Sequence, residues 1–397
     1  MLDVFLTYGW NRVSYNVLRS LAKKGLKVGV SDNSRLGMSL WSRFANIKLT
    51  YNSFYDNQPQ FINWLEEALL KYRVKVYIPI HEEIFLAAQN LERLKKTGTI
   101  IPISDFETLK NLHLKNRIIK FAKKLDIPVP LSIEPKSSSD IKHFANQVDF
   151  PVVIKMLNTN SAKGVFYCHS MDDLLKKYGE LSEGNTLFQS SILQEYVQGD
   201  GYGVSLLMNR GDVRAVFTHK RLREKTYTGG TSSKRVSVRN KIIEEYAIRL
   251  LEDANFHGVA MVEFKYNEKT GKAWLLEVNP RFWGSLALPI LAGIDFPYLL
   301  YKIAVEGDVK PVFSYKEGVV VRWILGDILA TMSEIRSTRR FINPVRNFFV
   351  FDQNGFDDFY LDDPKPFIFE MLYYFSKFIK TRSINPTEEA ILEVDKL

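Results

Sequence analysis

The feature that most restricts the fold is a change of rhythm along the chain. From Leu2 to Pro130 short apolar strands alternate with helix-length stretches, whereas beyond Asp149 one strand follows another through hairpin turns. Strand–helix alternation needs a parallel sheet covered by helices, and consecutive strands build antiparallel sheets. The chain therefore predicts an α/β unit followed by α+β lobes with a cleft between them.

In the first unit, Leu2 to Thr7 reads as a strand, Val13 to Lys24 as a helix stopped by Gly25, and Lys27 to Ser31 as a second strand. This is how a doubly wound domain begins. Only Gly9 follows the first strand, so the glycine fingerprint for dinucleotides is missing. Further helices are expected at about Gln60 to Tyr72, from Glu82, from Asp105 to Asn111 and from Lys115 to Leu125. Strands are expected at Val74 to Pro79 and near Ile100 to Ile103. The prolines of "DIPVP", Asp126 to Pro130, close the unit. A helix at Asn240 to Asn255 interrupts the later strands.

Bulk properties narrow the function. A net charge of +9 over 397 residues favours anionic partners without choosing among them. Cys168 is the only cysteine, which excludes an intrachain disulfide and a thiolate metal cluster. His81-Glu82 opens like a zinc-protease motif, but Phe85 stands where the second histidine belongs. The N-terminal apolar run carries Asp3 and reads as a strand rather than a leader, and no run of about 18 apolar residues occurs. A cytoplasmic location is expected.

Four stretches carry candidate chemistry. Lys155 in "PVVIKM" is a strand lysine, followed by the small polar loop Asn158 to Val165, whose backbone N–H groups suit phosphate oxygens. "LQEYVQGDGYGVS" delivers Glu195 to a glycine-rich bend, a pattern that holds a purine through backbone groups and one carboxylate; a hairpin with a bulge fits equally well. "LLEVNPRFWGS" places Glu277 and Asn279 on one face of a strand, and turn residues Asn267 to Lys272 predict a hairpin that sets Glu263 opposite or diagonal to Glu277. Carboxylates on neighbouring strands repel unless a cation joins them, and hard oxygens in small number suit Mg²⁺ rather than zinc. The basic stretch His219 to Val238, with Gly229-Gly230 at its middle, reads as a flap closing over an anion.

In this order and spacing the segments resemble the ATP-grasp superfamily, nearest to its carbamoyl-phosphate-synthetase-like carboxylate–amine ligases. The likeness covers about residues 1 to 305. It implies a pre-ATP-grasp doubly wound α/β domain over 1–105, a small lobe over 106–192, a large lobe over 193–310 and a C-terminal extension over 311–397. It further implies that Lys115 and Lys155 hold the phosphates of ATP under the loop Ser161, Ala162, Lys163 and Gly164. Glu195, Tyr196 and Val197 would grip the adenine. Glu263, Glu277 and Asn279 would bind Mg²⁺, with Mn²⁺ as an alternative, and Arg281 would stabilise the transferring phosphoryl group. Arg223 and Arg235 would hold a substrate carboxylate or phosphate. Many relatives carry a glutamate for the ribose where this chain has "GDGYG", so Asp200 is the substitute candidate.

The implied partners are a small carboxylate and an amine, joined through an acyl phosphate. Nucleic acid and a membrane span are not expected, while a homodimer and peripheral membrane contact stay open. The fold alone also admits a carboxylase, a carbamoyl-phosphate-type enzyme or a non-catalytic nucleotide-binding module. The C-terminal run "PFIFEMLYYFSKFIK" reads first as core packing.

Overall fold

A computed structural model describes residues 1–157, 164–182, 191–226, 229–382 and 392–397. Among these residues three sheets form. The first contains β1 (Leu2–Leu6), β2 (Val28–Asp32), β3 (Ala45–Thr50) and β4 (Val74–Ile78), all parallel, in the order β3-β2-β1-β4. The helix Arg12–Lys23 joins the first two strands; the Asn11 side chain caps it by accepting from the Val13 and Ser14 backbone N–H groups. The strand order reverses at β1, where ligands of open α/β sheets gather beyond the strand ends. There Tyr8 stacks on His81 at 4.4 Å between ring centroids.

The second sheet has the order β5-β8-β6-β7, from Ser132–Ile133 (β5), Val152–Met156 (β6), Val165–Cys168 (β7) and Ser191–Glu195 (β8). The helices Ser138–Ala145 and Met171–Ser182 cover it. Ile141, Phe144, Val152, Ile154, Leu174 and Leu193 form a core separate from the rest of the molecule.

The third sheet is the largest: β13-β12-β9-β10-β11-β14-β15. Its strands are Asp200–Asn209 (β9), Asp212–Thr226 (β10), Gly229–Val238 (β11), Gly258–Asn267 (β12), Lys272–Asn279 (β13), Val320–Arg322 (β14) and Gly355–Phe356 (β15). Residues beyond 310 thus extend the sheet by β14 and β15 and add the helices Ile324–Thr338, Ile342–Phe348 and Lys365–Thr381. One continuous core runs from the first sheet through the third to Tyr373 and Tyr374 of the last helix.

Three details differ from the sequence reading. Ile100 makes only a bridge to Val76, because the stretch to Ile103 is too short to extend the sheet. The edge strand β3 went unrecognised; its alternation of half-buried and exposed residues is a weak signal where charges and amides interrupt it. The basic stretch 219–238 is no free flap: on either side of 227–228 it forms the paired strands β10 and β11, and β11 is paired again by β14.

Candidate active site

The hairpin β12–β13 pairs Glu263 directly with Glu277, and a bulge follows immediately between Glu263 and Phe264. Directly opposed carboxylates are unfavourable in a sheet. Burial lifts the Glu263 carboxyl to about 7, Arg221 opposes that rise and Glu277 adds to it. The Asn279 amide bridges the pair, donating to Glu263 Oε1 at 3.3 Å and Glu277 Oε1 at 3.4 Å. Among the described residues no group of three or more acidic, histidine or cysteine side chains gathers as a metal cluster. Two carboxylates and a carboxamide oxygen fit a hard cation that takes its remaining ligands from water and phosphate.

Across the cleft, Lys155 on β6 is held below its ordinary range, to about 8, chiefly by burial, while Glu277 raises it. Lys115 begins the helix Lys115–Lys124 and donates to the Leu157 carbonyl at 3.3 Å. Burial lowers its pKa as well, and Glu277 again opposes the shift. Lys155 from the second sheet and Lys115 from the helix packed beside β13 therefore both act on Glu277. Such an arrangement suits a polyanion accompanied by a cation.

Arg221, which sequence reasoning left inside the basic stretch, bonds Glu263 Oε2 through Nη2. Burial disfavours its charge, but Glu263, Glu224 and Glu277 outweigh burial and raise its pKa. It reaches Glu263 across β9 because the intervening strand presents glycines. Glu263 and His219 both pair with Gly203, and Lys220 pairs with Tyr202 beside Gly201. A β-carbon at Gly201 would lie 2.9 Å from Arg221 Cδ, and one at Gly203 would lie 2.3 Å from His219 Cε1. The alternating glycines of "DGYGVS" were the available signal.

The other candidates are spread around this centre. Glu195 accepts from the Leu131 N–H at 2.7 Å, Tyr196 is exposed with its ring 6.0 Å from that of Tyr167, and Val197 is buried. Asp200 pairs with Lys220 at 2.8 Å. Gly164 has φ 62°, the left-handed region that glycine tolerates; Ser161, Ala162 and Lys163 lie outside the described residues. Arg281 donates to the Phe282 carbonyl at 3.0 Å; burial lowers the pKa of His81 and of His113, helped by Arg281 at the first and by Lys115 and then Arg281 at the second. Arg223 and Arg235 are not grouped with the carboxylate pair. Arg223 is bound by Asp327 and Glu334, each at 2.8 Å, and Arg235 is fully buried against Asp357. Those three partners come from the residues beyond 310.

Residues 187–326 match a family model described as "ATP-grasp in the biosynthetic pathway with Ter operon". Over this stretch, about a third of its length, the chain is similar to ATP-grasp proteins. It is 24% identical over 245 residues to the carbamoyl phosphate synthase large chain of Methanothermobacter thermautotrophicus, a match covering 55% of this chain and 23% of that protein. It is 28% identical over 184 residues to D-alanine–D-alanine ligase of Wolbachia pipientis subsp. Culex pipiens, covering 43% of this chain and 57% of the relative. The matches therefore span about a quarter and rather more than half of these relatives. Among solved structures, the biotin carboxylase domain of Hydrogenobacter thermophilus 2-oxoglutarate carboxylase, in complex with MgADP, ADP and bicarbonate, superposes with a TM-score of 0.66 at 12% identity. The overlap covers 81% of this chain and 73% of that one.

Proposed function

We propose that this protein is an ADP-forming carboxylate–amine ligase of the ATP-grasp type. The observation that carries the reading is the in-register Glu263–Glu277 pair, bridged by Asn279 and faced by Lys115 and Lys155. Lys115 and Lys155 hold the phosphate oxygens of ATP, and Glu195, Tyr196 and Val197 line the adenine end, with Asp200 toward the ribose. Glu263, Glu277 and Asn279 would hold Mg²⁺, which when bound neutralises charge on the phosphates.

A substrate carboxylate oxygen attacks the γ-phosphorus and ADP departs, leaving an acyl phosphate. The amine nitrogen then attacks the acyl carbon, inorganic phosphate leaves, and the nitrogen gives up its proton. Arg281 stabilises the oxygens of the transferring group, and Arg221 favours the ionised form of Glu263 against burial. Electrostatic positioning supplies the rate, and no covalent nucleophile on the protein is required. The reaction belongs in the cytosol, where ATP is supplied.

The test is ADP release by purified protein, with amino acids and other carboxylates crossed against amines. Release that needs both substrates and yields an amide supports the ligase. Release that follows bicarbonate alone would instead make the protein a carboxylase. Nucleotide binding without turnover under any combination would make it a binding module.

A further inference from the structure

The helix Lys365–Thr381 is apolar almost all round, yet only half of it is covered. Its inner side is fixed in place. The Phe369 ring stacks on Trp41 at 3.6 Å, Tyr373 stacks on Trp10 at 4.9 Å, and Glu370 accepts from Trp323 Nε1 at 3.2 Å. Its outer side carries Ile368, Met371, Leu372, Phe375, Phe378 and Ile379, all exposed, Phe375 at 61%. The spacings of three and four put these six on one stripe, about 120° wide at 100° per residue. The inner anchors prevent the stripe from rolling inward.

From Lys365 to Arg382 the exposed charges have one sign. Lys365 stands at the start of the stripe, Lys380 and Arg382 at its end, and all three are exposed. The only acidic residue between positions 365 and 382 is Glu370, which is buried. The stretch between Glu334 and Asp352 repeats this chemistry: it has no acid, and it exposes Phe341, Ile342, Phe349 and Phe351 beside Arg339 and Arg340. Exposed aromatic and aliphatic side chains interspersed with cations match an interface that is apolar inside and anionic at its surface. A second copy pairing symmetrically on this ridge would bring like charges together.

We propose that the outer face of the helix Lys365–Thr381 docks on an anionic phospholipid bilayer, the helix lying in the surface plane. No helix among the described residues is long and apolar enough to cross a membrane. The contact is therefore peripheral, and its strength depends on the anionic lipid content and on salt.

Co-sedimentation of the full chain with vesicles tests this directly. Vesicles with about 30% phosphatidylglycerol in phosphatidylcholine are expected to retain the protein at low salt and pure phosphatidylcholine to release it. The pair Leu372→Glu and Phe375→Glu, both already exposed, is expected to weaken retention at least about tenfold. Lys380→Glu with Arg382→Glu is expected to weaken it about tenfold and to flatten the salt dependence. Circular dichroism and ATP binding should be unchanged in both pairs. The proposal is overturned by equal retention on neutral and anionic vesicles, or by unaltered retention of the Leu372/Phe375 variant. It is equally overturned if anionic vesicles retain nothing while the protein forms a dimer, or binds RNA, through this same face.

Discussion

Two clusters of charge in this molecule are built to different rules. In the cleft, Glu263 and Glu277 oppose each other; Arg221 pairs with Glu263, while Lys115 and Lys155 act on Glu277 from further off. Behind the basic hairpin, opposite charges meet in pairs. Arg12 reaches Asp357 at 3.3 Å and Arg322 reaches Asp327 at 2.5 Å; Arg223 and Arg235 are paired likewise. The matched cluster is complete within the chain and holds the residues beyond 310 onto the third sheet. The cleft is matched only in part: Glu263 meets Arg221, whereas Glu277 receives the Asn279 amide and stands directly opposite a second carboxylate. The two clusters thus differ in whether each acid meets its own cation, although both lie beside the same strands.

The comparison can be broken from either side. The largest expected effect is Glu277→Gln, which should reduce ADP release by about a thousandfold while leaving the thermal midpoint unchanged. Substantial turnover in that variant would sink the cation site. Asp357→Ala should do the reverse. It strands Arg235 in the interior and costs about 3–5 kcal/mol in urea unfolding, so an unchanged midpoint there would show that the matched cluster is not structural. Lys155→Met is expected to raise the KM for ATP by about tenfold, or roughly 1.4 kcal/mol, with the fold intact. An unaltered KM would remove Lys155 from the phosphate site.

The smallest effect is on pH. Glu263 must lose its proton to receive a cation, so kcat/KM for ATP should rise as pH increases through about 7. Lys155 loses its charge as pH increases through about 8, so the same quantity should fall above that point. Lys155→Met should lose the alkaline limb and keep the acid one. A profile flat from pH 6 to 9 would contradict both assignments.

Much of the cleft was legible because its signals are local. The alternation in "LLEVNPR" and the turn at Asn267 to Lys272 place Glu263 opposite Glu277 through nothing more than strand period and hairpin closure. Arg221 was missed because its partner lies two strands away, and only the glycines of β9 make the reach possible. Arg223 and Arg235 read as substrate ligands for a similar reason: their carboxylate partners are more than a hundred residues downstream, and no local pattern announces an ion pair. The last helix was read as core from its composition, and composition cannot say which half of an apolar cylinder finds a neighbour.

The reach of β14 has a consequence for how the chain is made. Arg223 and Asp327 are 104 residues apart, and Tyr15 and Asp363 are 348 apart. During synthesis the first helix and the basic hairpin emerge long before the acids that receive them, so for that interval β11 presents an open edge carrying a charge without its mate. Such long closures are slow to form. The second sheet with its two covering helices, whose core is its own, can fold without waiting, and it should be the first part of a refolding chain to become protected from hydrogen exchange.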